Sequence, residues 1–91
     1  MKTYTLQAKN FNTVESLYDE ITRVLSFPEY FGRNLDALYD ILSDWDEPCV
    51  LIWQGSAQSK IDFQMDTTQP GFYGQVISTL QDVEGLELRL E

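Results

Sequence analysis

The run Cys49-Val50-Leu51-Ile52-Trp53, in the middle of the chain, is apolar without a break and rich in β-branched and aromatic residues. A stretch so short and so hydrophobic reads as a strand buried on both faces, the habit of strands in parallel sheets. Parallel neighbours need long crossovers, normally helical, with right-handed connections. The flanking segments supply them. Residues 3–7 alternate Tyr4 and Leu6 with polar neighbours, and at the other end Leu86, Leu88 and Leu90 alternate with Glu87, Arg89 and Glu91. Both read as strands, the last with one wet face. Val14, Leu17, Tyr18, Ile21, Val24 and Leu25 recur at helical spacing behind an N-cap at Asn12 or Thr13. That helix ends near Leu25, because Pro28 biases Phe27 away from helical angles. Residues 27–33 are aromatic and irregular, with Gly32 giving backbone freedom ahead of a second helix. Asn34 caps this helix, which runs from Leu35 to about Asp44. A third covers residues 72–83 and is stopped by Gly85. Residues 55–66 show no clear period beyond one helical turn near residues 56–61. The order strand–helix–helix–strand–helix–strand predicts an α/β fold. We expect a small three-stranded, mostly parallel sheet packed by three to four helices, in one domain over residues 1–91, with the strand order open.

Charge narrows the function. Fifteen acidic residues face six basic ones, for a formal net charge of −9. Such a chain repels nucleic acid and anionic membranes and attracts a basic partner, with strong salt sensitivity. Simple solubility is the competing explanation. No window approaches the ~20 apolar residues of a membrane span, and the N-terminus has no signal-peptide core. Cys49, the lone cysteine, reads as a buried reduced thiol. A cytoplasmic monomer is expected.

The second helix carries the clearest signal. At about 100° per residue, Leu35, Leu38, Ile41, Leu42 and Trp45 fall on one arc that faces the core. Asp36, Asp40 and Asp44 line the opposite side, with Tyr39 and Ser43 on the flank. Asp36 has a purely structural explanation, because a carboxylate in the first turn meets the positive end of the helix dipole. Asp40 has none: it is mid-helix and repels both neighbours by a few tenths of a kcal/mol each. Asp44 sits at the negative end of the dipole, and by spacing Arg33 can reach only Asp36 or Ala37. A helix face that costs stability is a candidate binding surface. Tyr30, Phe31, Tyr39 and Trp45 bring the aromatics typical of an interface hot spot, although core packing explains Phe31 as well and can explain Trp45.

Catalytic chemistry finds no support. The chain has no histidine, so Ser-His and Cys-His arrangements are impossible. One cysteine makes no zinc site, and Asp44-x-Asp46-Glu47 lacks the spacing of a calcium loop. An Asp36/Asp40 acid–base pair would sit on a convex helix without a pocket to shift either group. No phosphate-cradling glycine motif occurs. No catalytic residue, metal or cofactor is expected.

The segment FPEYFGRNLDALYDILSDW, residues 27–45, resembles the signature of the barstar family: an aromatic pair after Pro-Glu, then Gly-x-Asn-Leu-Asp-Ala-Leu-aromatic-Asp. The likeness in the C-terminal half is one of pattern only. It implies an inhibitor that is not an enzyme, plugging the active site of a barnase-like ribonuclease inside the cell that makes it. The barstar–barnase complex is itself the standard example of charged hot spots and electrostatic steering. By motif, Asp40 matches the carboxylate that replaces an RNA phosphate, Asp36 a second acidic anchor, and Tyr30 the aromatic that covers the catalytic histidine. Tyr39 and Trp45 match flanking contacts, and Gly32, Asn34, Leu35 and Ser43 further contact positions. Two departures stand out. Tyr39 occupies a position often held by Trp, and the acidic contacts of the last long helix have only Thr79 or Leu80 near one and Glu84 near another. A different basic ribonuclease or nuclease toxin is therefore open as the natural partner. The alternative is a barstar-like interaction module whose partner is not a nuclease.

Overall fold

The computed structural model describes residues 2–91. β1 (Lys2–Gln7) runs through a short 3-10 turn (Ala8–Asn10) into α1 (Val14–Leu25), and α2 (Leu35–Ser43) precedes β2 (Cys49–Gln54). Then come α3 (Ser56–Met65), α4 (Phe72–Asp82) and β3 (Leu86–Leu90). The fold is α/β, with an entirely parallel sheet in the order β1-β2-β3.

Both crossovers advance in the same direction across the sheet. Right-handed connections then place all four helices on one face. Register agrees with this: Tyr4, Leu51 and Leu88 form one cross-strand row and Leu6, Trp53 and Leu90 the next. Leu6, Leu51 and Trp53 in these rows are fully buried. The other face carries Thr3, Val50 and Glu87, then Thr5, Ile52 and Arg89. Here the expectation of a strand buried on both faces needs correction. Val50 is buried between its neighbours, but Ile52 is only half-buried, because no helix covers that side.

Trp53 anchors the core. Its indole N–H donates to the buried Ser59 hydroxyl at 2.9 Å, and its ring meets Phe11 and Phe63 edge-on. Truncating a residue of this kind to alanine costs about 3–5 kcal/mol. Ser59 and Phe63 also explain why α3 is a full helix where only one turn was expected. These are its sole buried residues, too few to print an apolar period on the sequence. Gly55 starts it in a left-handed conformation (φ 76°), and a Cβ there would lie 2.9 Å from that of Ala8. A side chain at that corner would force β1 and β2 apart.

The ends of α1 are fixed by side chains. Thr13 is the N-cap: its hydroxyl accepts from the Ser16 N–H and the Ser16 hydroxyl accepts from the Thr13 N–H, a reciprocal pair that satisfies two orphan donors. Asp66, at the end of α3, accepts from the Val14 N–H at 2.9 Å, tying two helices together. Bonds from Thr68 and from Val14 hold the Asp66 carboxyl below its ordinary value. Glu20 is a buried carboxylate that accepts from the Gln7 N–H, the Asn10 amide and Arg23. Burial opposes its ionisation, but these donors outweigh it and the pKa falls.

Candidate functional site

α2 begins where Asn34 turns the chain. The Asn34 Oδ1 accepts from the Ala37 N–H at 2.7 Å, while its Nδ2 donates to the Gly32 carbonyl. The side chain matched to a contact position is thus engaged in capping the helix. From here Leu38 and Leu42 enter the core, and Leu35, Ile41 and Trp45 pack against it half-buried. The apolar arc expected from the sequence faces inward, but only its centre is fully covered.

The opposite side is open. Asp36, Asp40 and Asp44 are exposed, and among the described residues none takes part in an ion pair or accepts a side-chain hydrogen bond. They follow one another about 6 Å apart along the helix axis. Asp36 lies in the first turn, and Asp44 is the C-cap residue, its N–H returned to the Asp40 carbonyl. Beside the ridge, Tyr39 is 41% exposed and Tyr30, on the preceding loop, is 86% exposed. Gly32 and Ser43 are also at the surface. Trp45 turns inward, with its ring 5.6 Å from that of Tyr4 and 6.2 Å from that of Phe27. Phe31 is buried against Phe27 and Tyr18, which is core packing.

Two details of the loop differ from expectation. Gly32 is not the flexible joint: the left-handed residue is Arg33 (φ 53°), and Gly32 lacks a positive φ. What Gly32 supplies is room, since a Cβ there would lie 3.2 Å from the Ala37 Cβ and 3.4 Å from the Asn34 amide. Arg33, for its part, does not pair with Asp36. Its Nη2 donates to Glu15 Oε1 at 2.7 Å, to Asp19 Oδ1 at 2.9 Å and to the Glu15 carbonyl at 3.0 Å, all on α1. Its guanidinium carbon stands 5.9 Å from the centre of the Tyr18 ring. Placing a non-glycine residue in the left-handed region costs roughly 1–2 kcal/mol. Half-exposed ion pairs return about 0.2–1 kcal/mol each and a cation over a ring about 0.5–1. Strain and contacts nearly cancel, so the arrangement organises more than it stabilises. No local pattern signals it, because Glu15 and Asp19 are distant in the chain and only the fold brings them to Arg33.

The ridge is convex. A concavity of about 410 Å³ lies past the end of α2 and is lined by Lys2, Tyr4 and residues 44–49. Cys49 is buried there, which pushes its thiol pKa up and keeps it protonated. Among the described residues no three His, Cys, Asp or Glu groups are arranged to hold a metal ion, and no helix is long and apolar enough to cross a membrane.

A parallel three-stranded sheet, covered on one face by helices and presenting an exposed acidic helix behind an aromatic loop, defines a small α/β class. Residues 1–86 match the family model described as Barstar (barnase inhibitor), and the chain belongs to the barstar family. It is similar to the Bacillus subtilis (strain 168) protein named "Putative ribonuclease inhibitor YrdF". The two are 33% identical over 86 residues, covering 92% of this chain and 87% of that relative.

Proposed function

We propose that this protein is an intracellular inhibitor of a basic ribonuclease, with the α2 carboxylates occupying the sites where the enzyme binds RNA phosphate. The carrying observation is that Asp36, Asp40 and Asp44 stand in a row on one exposed helix face with no ion-pair partner among the described residues, while the nearest arginine in sequence, Arg33, is engaged by Glu15 and Asp19 on α1. Family membership and the relative's name support a ribonuclease as the partner. A carboxylate offers two coplanar acceptors that match the fork of an arginine. Asp40, at the centre of the ridge, is the residue that takes the place of phosphate, and Asp36 is the second anchor. Tyr30, standing free of the surface, covers the apolar edge of the enzyme's cleft. Tyr39, Ser43 and the half-buried Leu35 and Trp45 fill the flank, while Gly32 and Asn34 let the loop approach and hold the helix start. Inhibition is occupancy of a preformed anion site, and no bond is made or broken.

The experiment is stoichiometric titration of the purified protein into barnase and a panel of other basic ribonucleases, read as RNA hydrolysis. Loss of activity at one equivalent with at least one enzyme, relieved by Asp40→Ala, is the expected result. If no member of the panel is inhibited, or Asp40→Ala inhibits as well as the wild type, the proposal fails. Capture of a partner without nuclease activity through the same ridge moves the chain to the alternative of a non-nuclease interaction module.

A further inference from the structure

We infer that Arg33 is a positioning residue: it clamps the loop of residues 27–34 to α1, so that Tyr30 and the start of α2 are held in one arrangement before any partner arrives. The geometry of the clamp stands alone, and its consequence for binding rests on the proposed function.

Arg33 is the sole Lys or Arg between Arg23 and Lys60, so it is the one cation that the chain places next to the acidic ridge in sequence. Left free, it would neutralise Asp36 and compete with a basic partner for it. Instead it reaches across to α1, where Glu15 and Asp19, four residues apart and so on one side of that helix, both accept from its Nη2. Those two carboxylates raise the pKa of Arg33 against the opposing effect of burial. The clamp thus has two effects: it fastens the loop and takes its own charge away from the ridge.

The loop has little else to hold its second half. Its first half is tied by the Phe27 N–H to the Thr22 carbonyl, by the Phe31 N–H to the Pro28 carbonyl, and by the burial of Phe27 and Phe31. Beyond Phe31 the ties are the Asn34 cap and Arg33. Beneath the guanidinium lies Tyr18, fully buried, whose ring packs edge-on against both Phe31 and Phe72. Burial raises the Tyr18 pKa to about 12 against the influence of Arg33, so the ring is neutral at any working pH. The clamp is therefore seated on the buried core, through the same aromatic that packs against Phe31. A recognition loop ordered in advance avoids the ordering cost of binding, and that gain appears in the dissociation rate.

Electrostatics alone predicts the reverse. Removing Arg33 makes the protein one unit more negative and frees two more carboxylates near the site, which favours association with a basic enzyme. The sign of the effect separates positioning from charge.

The test compares wild type, Arg33→Ala, Arg33→Lys and the double variant Glu15→Gln/Asp19→Asn, which removes the acceptors and leaves the arginine. Hydrogen exchange of the free proteins is the first readout, with the amides of Leu51 and Trp53 as internal control. Exchange at the bonded amides of the loop and helix start, Phe31, Ala37 and Leu38, should rise about tenfold in Arg33→Ala and in the double variant, with β2 unchanged, and fall part of the way back in Arg33→Lys. Binding to barnase by stopped flow is the second readout. The dissociation rate should rise about tenfold in Arg33→Ala, and the double variant should weaken further because its freed arginine faces Asp36. Unchanged loop exchange in both clamp-breaking variants overturns the inference, as does an Arg33→Ala protein that binds at least as tightly as wild type. Should wild type itself fail to bind barnase, the proposed function fails for that enzyme, and the exchange experiment alone decides the clamp.

Discussion

α1 and α2 lie on the same side of the sheet, and both expose acidic side chains, yet the two treat them in opposite ways. On α1, Glu15 and Asp19 are bound to Arg33 and Glu20 is bound to Arg23. On α2, Asp36, Asp40 and Asp44 have no counter-charge among the described residues. The chain has few cations, and it directs two of them to α1, including the one nearest in sequence to α2. A merely solvated acidic face would gain from any nearby arginine. A face reserved for an external cation loses by having one. α1's acids belong to the fold, and α2's acids stand outside it.

The comparison breaks most readily at Asp40. Asp40→Ala should weaken binding to an inhibited ribonuclease at least a hundredfold, about 3 kcal/mol, because it strips the central charge from a desolvated contact. Its urea midpoint should stay the same or rise slightly, since repulsion from both neighbours is relieved. A matching loss of stability and affinity would place Asp40 with the acids of α1.

Glu20 is the reverse case. Glu20→Gln keeps the shape but loses charge-assisted bonds to Gln7, Asn10 and Arg23, and should cost about 2 kcal/mol in urea unfolding with no direct effect on partner binding. Its pH dependence has a definite sign. The folded-state pKa is lowered, so the contribution is complete above the ordinary glutamate value and is lost as pH falls through the lowered one. Wild type should therefore lose more stability than Glu20→Gln on acidification through that window, and parallel curves for the two proteins would count against a stabilising role for the buried carboxylate.

Legibility in the sequence follows the same division. β1, β3, α1, α2 and α4 announce themselves because each buries one face and so carries its own period. The helix cap at Asn34 and the outward row Asp36-Asp40-Asp44 follow from spacing within a single element. The strand order could not be read, because either side of β2 offers β3 an equivalent edge. α3 was read only as one turn, since Ser59 and Phe63 alone enter the core. Backbone freedom is expected at Gly32 and a partner for Arg33 within its own helix, whereas Arg33 itself adopts the left-handed conformation and is held there by acids from another helix. Long-range pairing of charges leaves no local pattern to read.

A smaller effect tests how firmly the recognition helix is built. Asn34→Ala removes the cap on the Ala37 N–H and the tie to the Gly32 carbonyl, and should cost about 1 kcal/mol of stability. Affinity should fall too, through fraying of the turn that carries Asp36. Asn34→Asp retains the acceptor and should restore most of the stability, measured by thermal unfolding of the three proteins. If Asn34→Asp is no more stable than Asn34→Ala, the cap is not what holds this end of α2.

The smallest expected change is the most specific. Asp44 closes α2 with helical backbone angles (φ −84°, ψ −5°), four residues from Asp40 and at the negative end of the dipole. Asparagine tolerates that conformation and is nearly the same size, so Asp44→Asn changes little but the charge. Stability should rise by about 0.3–0.5 kcal/mol, as a repulsion and an unfavourable dipole contact are both removed. Most substitutions destabilise. Affinity for an inhibited ribonuclease should fall by about threefold to tenfold if the partner reads the ridge over its full length. The two changes have opposite signs in one variant, which a fault in folding cannot produce. A stabilised variant with unchanged affinity would confine recognition to Asp36 and Asp40 and leave Asp44 as a charge that the helix carries without use.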